Sequence, residues 1–290
     1  MSKASFNPAT DISDQSGRVY FITGGTTGLG AESISYIAAH NPSQIFFSGR
    51  NEKRATELIA KVKHASPSTT LTFVPCDLSS LASVQTASKQ LLSATDRLDV
   101  LMCNAGIMAT PDAMSKDGYE LQFATNHLGH ALLINLLLPT LLRTAHAQQQ
   151  PNPDTPKSRY APHFWLPNKW FCYGQSKLAN LLYARALAIH YPDITAVAVH
   201  PGFVRTDLHA HEGVFDRLLV NWVADRWVEP RQGAYTQTWA ATTDRRNLVS
   251  GAYYEPVGVQ TQPRNKQGKD EVLANELWDW TERELAKWVV

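Results

Sequence analysis

The chain has 290 residues, of which 43% are apolar, and a formal net charge of +1. A chain of this length can bury a large core, and the composition excludes a disordered or fibrous protein. The small net charge argues against a nucleic-acid-binding surface, which needs clustered lysine and arginine. Cys76, Cys103 and Cys172 fit no zinc or disulfide spacing, so we expect reduced thiols and no metal site.

The N-terminal residues 1–16 are polar and are predicted to form a flexible tail. They lack both the apolar core of a signal peptide and the arginine-rich pattern of a transit peptide. The most apolar window, "HALLINLLLPTLL", is short for a membrane span and contains Asn135 and Pro139. We therefore expect no transmembrane segment and a location in the cytoplasm.

The first half of the chain alternates short apolar runs with amphipathic helical patterns. Strands are predicted in "RVYFIT", "QIFFSG", "TLTFVPCD" and "RLDVLMCNAG", and helices in "AESISYIAAH", "EKRATELIAKVKHA" and "SSLASVQTASKQLLSA". This alternation predicts an α/β fold with a parallel sheet and helices on both faces. Such strands are continuously apolar because helices cover both of their faces. We find no second domain and predict a single domain over residues 1–290.

The second half has two long predicted helices, in residues 115–142 and 173–191, but no clear strand between them. The intervening segment is rich in proline and glutamine, which is typical of an exposed loop. Its one strand candidate, "HFWL", is bounded by Pro162 and Pro167, which limit hydrogen bonding to neighbouring strands. The fifth strand of the sheet is therefore doubtful, and without it the adjacent strands would lose backbone partners.

The C-terminal part follows the predicted sixth strand, "ITAVAVHPG". Residues 207–230 are predicted to form a substrate lid, because "GVFDRLLVNWVADRW" is amphipathic; the same apolar stripe could instead contact a membrane surface. A helix in "YTQTWAAT", a final strand in "GAYYEPVG" and a terminal helix in "ELWDWTERELAKWVV" follow. Six of the eight tryptophans lie beyond residue 220. They either pack this end against the sheet or form an aromatic wall for an apolar substrate.

The glycine-rich stretch "TGGTTGLG", Thr23–Gly30, follows the first predicted strand and opens the first predicted helix. In such a turn Gly24 permits the sharp bend, Gly28 lets a pyrophosphate approach the backbone, and Gly30 lets the helix pack closely. The helix N-terminus offers unpaired N–H groups and a partial positive charge to a phosphate. This context favours a dinucleotide-binding turn over a glycine-rich turn without a ligand.

Six motifs in the same order along the chain resemble those of the short-chain dehydrogenase/reductase superfamily. They are "TGGTTGLG" at Thr23–Gly30, "CDL" at Cys76–Leu78, "NAG" at Asn104–Gly106, "NHLGH" at Asn126–His130, "YGQSK" at Tyr173–Lys177 and "HPGFVRT" at His200–Thr206. The nearest branch is that of the retinol-dehydrogenase-like and WW-domain-oxidoreductase-like reductases. The resemblance extends from about Arg18 to the C-terminal helix. It implies a Rossmann-type doubly wound sheet, a nicotinamide cofactor and, through pairing of the two long helices, a possible homodimer.

The cofactor is predicted to be NADP(H), because the second strand ends in Gly49 and Arg50 without an acidic residue. The Arg50 guanidinium can pair with a 2′-phosphate, whereas a carboxylate there would repel it; the alternative is a solvated arginine at a helix start. By resemblance, the other cofactor-binding residues are Thr23, Gly24, Thr26, Thr27, Gly28, Leu29, Gly30, Asp77, Leu78, Asn104, Ala105, Gly106, Tyr173, Lys177, Pro201, Gly202, Val204 and Thr206. Asp77 also has a simpler interpretation, as part of the N-cap of the following helix.

Tyr173 and Lys177 lie four residues apart on a predicted helix and therefore share one face. A phenol titrates near pH 10, and a nearby ammonium group favours its ionised form, so Lys177 is expected to lower the pKa of Tyr173. Tyr173 would then exchange a proton with the substrate oxygen. By resemblance, Asn126 holds a water that connects Lys177 with bulk solvent; alternatively it bonds locally within its helix.

The serine that holds the substrate oxygen in this superfamily has no clear counterpart. Ser158 is the only serine between Ser115 and Ser176, and no apolar strand precedes it. The first hypothesis is an NADP-dependent oxidoreductase for an apolar ketone, aldehyde or secondary alcohol, with Ser158, Thr155 or a water replacing the serine. The alternative is a catalytically impaired NADP-binding protein that lacks the segment carrying the strand and the serine.

Overall fold

The computed structural model describes residues 6–148, 169–204 and 227–289. Their helices, in chain order, are α1 (Pro8–Asp11), α2 (Gly28–Ala38), α3 (Glu52–Ala65), α4 (Leu81–Ala94), α5 (Leu121–Phe123), α6 (Gly129–Ala147), α7 (Lys169–His190), α8 (Pro230–Gly233), α9 (Tyr235–Thr242) and α10 (Glu271–Leu285). A π-helical turn, Ala124–Leu128, connects α5 to α6. The strands are β1 (Val19–Ile22), β2 (Gln44–Gly49), β3 (Leu71–Pro75), β4 (Val100–Met102), β5 (Ala198–Val199), β6 (Phe203–Val204), β7 (Trp227–Val228), β8 (Tyr253–Glu255) and β9 (Val259–Thr261).

The first four strands form a parallel sheet in the order β3-β2-β1-β4. Phe21 in β1 lies beside Phe46 in β2 and Leu101 in β4. All four residues of β1 are buried, as expected for a central strand covered on both faces. The α/β class and the parallel sheet predicted from the alternating pattern are confirmed.

Side chains of the sheet alternate between two hydrophobic cores, one on each face. Phe21 and Phe46 belong to a core that also contains residues of α4, α6, α7 and α10. Tyr20, Ile22 and Phe47 belong to a second core with residues of α2, α3 and α9. Because successive strand residues point to opposite faces, this division demonstrates a sheet wound on both sides. Fully burying one such side chain stabilises the fold by about 1.5–3 kcal/mol.

The later strands form separate small sheets. β5 pairs in parallel with β8, β8 pairs in antiparallel with β9, and β6 pairs in parallel with β7. Within the described residues, β4 pairs only with β1, and β5 pairs only with β8. The strand predicted in "ITAVAVHPG" is limited to Ala198–Val199. The candidate fifth strand "HFWL" lies outside the described residues.

The N-terminal segment differs from the predicted flexible tail over residues 6–16. The Asn7 side chain accepts a hydrogen bond from the backbone N–H of Ala9 and begins α1. The Phe6 ring contacts the ring of Tyr235 edge-to-face, with 5.8 Å between the centroids. Gln15 is buried and bonds the Tyr20 hydroxyl. These contacts attach the segment to β1 and α9.

Other element boundaries also differ from the sequence-based expectation. The helix predicted over residues 115–142 begins only at Leu121 and is interrupted by the π-helical turn. α7 begins at Lys169, four residues before Tyr173. β9 follows the strand in "GAYYEPVG", which is therefore not the final strand.

One described helical stretch, Leu121–Ala147, is long and apolar enough, by length and composition, to cross a membrane. Its most apolar window has a mean hydropathy of 1.3, and 61% of that window is buried inside the protein. Leu132, Leu133 and Leu137 on α6 are fully buried in the core that also contains Phe21. A helix in the core of a folded protein is buried to this extent.

Candidate active site

The glycine turn joins the end of β1 to the start of α2. Gly24 and Gly28 have positive φ angles of 64° and 57°, which favour glycine. A Cβ atom on Gly24 would lie 2.9 Å from the Cα of Ala105, and one on Gly30 would lie 2.4 Å from the Gly24 carbonyl oxygen. Thr27, the N-cap residue of α2, makes no side-chain capping bond within the described residues. The side of the turn that faces Ala105 is therefore tightly packed. The N–H groups at the start of α2 remain available on the other side, as phosphate binding requires.

The "NAG" turn after β4 is bonded directly to the glycine turn. The Thr23 hydroxyl accepts hydrogen bonds from the backbone N–H groups of Asn104 and Ala105, each at 3.0 Å. The Asn104 side chain donates to the carbonyl oxygens of Thr23 at 2.8 Å and Gly24 at 3.3 Å. Thr23 is fully buried, so its side chain fixes the shape of the two turns and does not line the cleft. Its role in cofactor binding stays a prediction.

The end of β2 lies against the same turn. A Cβ on Gly49 would lie 2.8 Å from the side-chain Cγ2 of Thr26. Arg50 is exposed, and the next residue, Asn51, begins α3 by accepting a hydrogen bond from the backbone N–H of Arg54 at 3.0 Å. Arg50 is thus placed at the mouth of the cleft, next to the glycine turn.

Asp77 accepts hydrogen bonds from the backbone N–H and the hydroxyl of Ser79, at 3.1 and 2.7 Å. These bonds support the simpler interpretation of Asp77 as a turn-forming residue before α4. Asp77 also lines the cleft, so the interpretation as a cofactor contact remains compatible with the structure.

Tyr173 and Lys177 occupy the same face of α7, as predicted. The Lys177 Nζ atom lies 5.5 Å from the centroid of the Tyr173 ring. A Cβ on Gly106 would lie 3.1 Å from Lys177 Nζ and 3.2 Å from Asn126 Oδ1. The "NAG" turn, the π-helical turn and α7 therefore meet at this point, and only a residue without a side chain fits between them.

Asn126 is fully buried in the π-helical turn and links two other elements. Its Oδ1 accepts from the Ile107 N–H at 2.8 Å, and its Nδ2 donates to the Ile107 carbonyl at 2.9 Å. The same Nδ2 donates to Ser176 Oγ at 2.9 Å, and the Ser176 hydroxyl donates to the Tyr173 carbonyl at 2.8 Å. Asn126 thereby connects the loop after β4 to α7.

Ser176 was not identified from the sequence as a site residue. The signal available was its place three residues after Tyr173, on the inward face of the helix. Its partner could not be inferred, because Asn126 lies fifty residues earlier in the chain.

Burial changes the pKa values of both catalytic candidates. It raises the pKa of Tyr173 to about 12 and lowers the pKa of Lys177 to about 8. Both shifts favour the uncharged forms, because a charge is poorly solvated where protein atoms surround it. Burial is the cause of the raised pKa of Tyr173, and the lowering of that pKa by Lys177 stays a prediction.

The loop after β5 contributes a residue that the sequence did not single out. His200 is partly buried, and its Nδ1 accepts a hydrogen bond from the backbone N–H of Gly202 at 2.9 Å. Gly202 has a φ angle of 85°, which allows this tight turn. Burial lowers the pKa of the His200 imidazole. The sequence signal that could have indicated His200 is its position directly before Pro201 and Gly202 in the "HPGFVRT" motif.

Most of the predicted site residues line one continuous cleft at the carboxyl ends of β1, β2 and β4. They are Gly24, Thr26, Thr27, Gly28, Leu29, Arg50, Asp77, Leu78, Asn104, Ala105, Gly106, Tyr173, Lys177, Pro201, Gly202 and Val204. Thr23, Gly30 and Asn126 lie directly behind it and support its walls. Ser158, Thr206 and most of the predicted lid, residues 207–226, lie outside the described residues. Ligands of doubly wound sheets bind at this end of the strands.

Comparison with known proteins identifies the same family as the sequence motifs do. The sequence matches the model of the short chain dehydrogenase family over residues 18–150. A short-chain dehydrogenase/reductase of Armillaria gallica is 33% identical over 289 residues, which cover 94% of this chain and 91% of the relative. Retinol dehydrogenase 14 of Mus musculus is 33% identical over 288 residues, with coverages of 92% and 85%. The NADPH-bound carbonyl reductase from chicken fatty liver has a similar fold, with a TM-score of 0.62 at 20% identity, covering 88% of this chain and 97% of that chain.

The fold and the cleft define a Rossmann-type oxidoreductase. The chain belongs to the short-chain dehydrogenase/reductase superfamily, in its retinol-dehydrogenase-like branch. The family resemblance inferred from six short motifs is therefore confirmed.

Proposed function

We propose that this protein is an NADP(H)-dependent oxidoreductase that acts on an apolar ketone, an aldehyde or a secondary alcohol. The observation that carries the proposal is the meeting of Tyr173, Lys177 and the glycine turn in one cleft. Bound NADPH would supply the hydride. The residues present fit this cofactor, because Gly24 and Gly30 let the turn pack closely against the "NAG" turn and α2 begins without a side-chain cap, which leaves its first N–H groups available to a phosphate.

The choice of NADP(H) over NAD(H) rests on the end of β2. Arg50 is exposed beside the glycine turn, where its guanidinium would pair with the 2′-phosphate of the adenosine ribose. No acidic side chain follows β2 before Glu52, which lies in the first turn of α3. The chicken carbonyl reductase of similar fold was solved with NADPH, which supports this choice.

Tyr173 is proposed as the proton donor in the reducing direction. With a pKa raised to about 12 by burial, its phenol keeps its proton at neutral pH and can donate it to a carbonyl oxygen. The pKa of Lys177, lowered to about 8 by burial, leaves most of the ammonium charged at pH 7. That positive charge favours the phenolate left after proton transfer. The water relay through Asn126 stays a prediction.

An apolar substrate is proposed from the residues at the open end of the cleft. Phe203 lines the cleft, and its ring contacts the ring of Trp227 edge-to-face with 6.3 Å between centroids. Aromatic walls of this kind favour apolar ligands over charged ones. The lid over residues 207–230 and the location in the cytoplasm stay predictions.

Cofactor titration followed by turnover measurement tests this function. Tryptophan fluorescence is first titrated with NADPH and, separately, with NADH; NADPH is expected to bind more tightly. NADPH oxidation is then followed with a panel of apolar ketones and aldehydes. Tyr173→Phe should lower kcat by about a hundredfold or more, because the proton donor is lost, while NADPH still binds.

Tyr191→Phe, just beyond the end of α7, serves as the matched control and should retain full activity. Turnover that survives Tyr173→Phe would contradict the proposed mechanism. Equal affinity for NADH and NADPH would contradict the cofactor assignment.

A second candidate is an NADP-binding protein with impaired catalysis. It is favoured by the sequence, in which Ser158 is the only serine between Ser115 and Ser176 and no apolar strand precedes it. NADPH binding without turnover of any carbonyl would support this candidate over the first.

A further inference from the structure

A buried histidine connects the glycine turn with the π-helical turn that carries Asn126. His130 lies in the first turn of α6, and only 3% of its surface is exposed. Its Nε2 atom is 2.8 Å from the Thr23 hydroxyl, and its Nδ1 atom is 2.9 Å from the Asn126 carbonyl oxygen. Both ring nitrogens are therefore engaged, each with a different wall of the cleft.

The partners determine where the imidazole proton lies. A carbonyl oxygen can only accept, so Nδ1 must carry the hydrogen and donate to Asn126. In a neutral imidazole Nε2 then accepts, and the Thr23 hydroxyl donates to it. This leaves the Thr23 oxygen free to accept the N–H groups of Asn104 and Ala105, as observed. The Met102 carbonyl oxygen, 3.4 Å from the Thr23 hydroxyl, is a more distant acceptor for the same proton than Nε2 at 2.8 Å.

A charged His130 would not fit these partners. A second ring N–H would point at a hydroxyl oxygen that already accepts two backbone N–H groups. Burial lowers the pKa of His130 to about 4, which agrees with a neutral ring, and the nearby Lys177 charge acts in the same direction. At neutral pH the imidazole is thus a fixed hydrogen-bonding bridge rather than an acid or base.

The bridge belongs to a longer chain of hydrogen bonds. It runs from Thr23 through His130 to the backbone of Asn126, and then from the Asn126 side chain through Ser176 to the Tyr173 carbonyl. One end is the turn proposed to bind the cofactor, and the other is the helix that carries the proposed proton donor.

We propose that His130 is a positioning residue that sets the glycine turn and the catalytic helix α7 in register with each other. The proposal rests on the proposed function, because register matters only if a cofactor and a substrate must meet. Its Nε2 bond shapes the cofactor side through Thr23, and its Nδ1 bond shapes the catalytic side through Asn126.

Two substitutions separate these bonds. An asparagine amide reaches about as far as the histidine Nδ1, so His130→Asn retains a donor to the Asn126 carbonyl and loses the acceptor for Thr23. A glutamine amide reaches about as far as Nε2, so His130→Gln retains the acceptor for Thr23 and loses the donor to Asn126. His130→Ala loses both.

The two substitutions should affect different quantities, the Kd for NADPH in one case and kcat in the other. His130→Asn should raise the Kd for NADPH about tenfold and change kcat less than threefold, as the loss of one buried hydrogen bond implies. His130→Gln should lower kcat about tenfold and change the Kd less than threefold, for the same reason on the other side. His130→Ala should both raise the Kd for NADPH and lower kcat. Thr23→Val also removes the acceptor for the N–H groups of Asn104 and Ala105, so it should weaken NADPH binding at least as much as His130→Asn. Adding His130→Asn to it should weaken binding no further.

His127 provides the matched control. It is equally buried on the same helical stretch, and its Nε2 lies 3.0 Å from the Thr281 hydroxyl in α10, away from the glycine turn. His127→Gln should lower the melting temperature without changing the Kd for NADPH or kcat.

The outcomes distinguish this proposal from the proposed function. If the native protein binds NADPH but reduces no carbonyl, the proposed function fails, and the Kd values of His130→Asn and Thr23→Val still decide on His130. If His130→Ala lowers only the melting temperature, as His127→Gln does, His130 is merely structural and the proposal is overturned. If the native protein binds no NADPH, both are overturned.

Discussion

At the scale of single residues, the same burial favours the uncharged form of both catalytic candidates, with different consequences for each. Tyr173 and Lys177 both stay uncharged more readily than in water. For Tyr173 this keeps a proton on the donor, whereas for Lys177 it makes the charged form costly to maintain. A phosphate-bearing cofactor brought into the cleft would favour the ammonium form again, so cofactor binding and lysine protonation are coupled.

The contribution of Lys177 to the free energy of unfolding should rise with pH between about pH 8 and pH 10, while the buried Cys76 thiol, whose pKa is raised to about 12, acts in the opposite direction. The unfolded lysine titrates at 10.5, but the folded one at about 8. In this window the unfolded state binds a proton that the native state has lost, so raising the pH favours the native state. Urea denaturation at several pH values measures the effect, and Lys177→Met should remove it.

The exposed Lys89 of α4 provides the control, since Lys89→Met should leave the pH dependence unchanged. Above pH 10 the raised pKa of Tyr173 acts in the opposite direction, so the comparison is restricted to lower pH. A pH dependence between pH 8 and pH 10 that is the same in the native protein and in Lys177→Met would contradict this prediction.

The residues that could be predicted were those whose role depends on their own backbone. Gly24 and Gly28 were recognisable because a turn with positive φ and a nearby helix N-terminus is written into local sequence. Ser176 and His130 were not recognisable as links, because their function depends on partners fifty or more positions away. A sequence shows that such residues are polar and lie on a buried face, but it does not show which residues they form hydrogen bonds with.

At the scale of elements, α6 approaches the loop after β3 very closely. A Cβ on Gly129, the first residue of α6, would lie 2.3 Å from the Leu78 carbonyl oxygen. The Gly129 N–H donates to the Ala124 carbonyl, which forms the π-helical turn that aims Asn126 into the site. The glycine in "NHLGH" thus serves the contact between a helix and the "CDL" motif.

Gly129→Ala should lower the free energy of unfolding by about 1–3 kcal/mol, because the added methyl group forces the helix and the loop apart. Gly174→Ala is the matched control, since that helical glycine of α7 is exposed and a Cβ there meets nothing within 4 Å. It should raise stability by about 0.5–1 kcal/mol. Chemical denaturation measures both, and equal effects would show that the close approach at Gly129 is unimportant.

Element prediction succeeded where local patterns and tertiary packing agree. β2 (Gln44–Gly49), α3 (Glu52–Ala65) and α9 (Tyr235–Thr242) have the predicted bounds. β5 is far shorter than its apolar run, because a strand extends only as far as its neighbours pair with it. Neighbours are a property of the whole sheet, which explains why strand ends were the least predictable feature.

At the scale of the whole molecule, α10 packs along α7 and reaches α6 through Glu282. Trp278 stacks on the rings of Tyr183 and His190, with centroids 5.0 and 4.4 Å apart. Glu282 accepts hydrogen bonds from Asn135 of α6 at 2.9 Å and from the Tyr183 hydroxyl at 3.0 Å. A homodimer formed through the two long helices, α6 and α7, would need the surface that α10 occupies.

We therefore expect a monomer rather than the homodimer suggested by family resemblance. Light scattering coupled to size-exclusion chromatography should give the mass of one chain. Deleting residues 271–290 should uncover the apolar surface of α6 and α7 and produce dimers or aggregates. A native dimer whose crosslinks join α6 or α7 of the two copies would contradict this expectation.

The division of the sheet into two cores has a consequence for the order in which the protein is made. The core that contains Tyr20 and Phe47 draws almost wholly on residues before 103 and can close early in synthesis. The core that contains Phe21 and Phe46 needs α6, α7 and finally Trp278 and Leu285 of α10. One apolar face of the nascent sheet therefore remains only partly covered until the last helix leaves the ribosome, and a chaperone would be needed there rather than at the cofactor-binding turn.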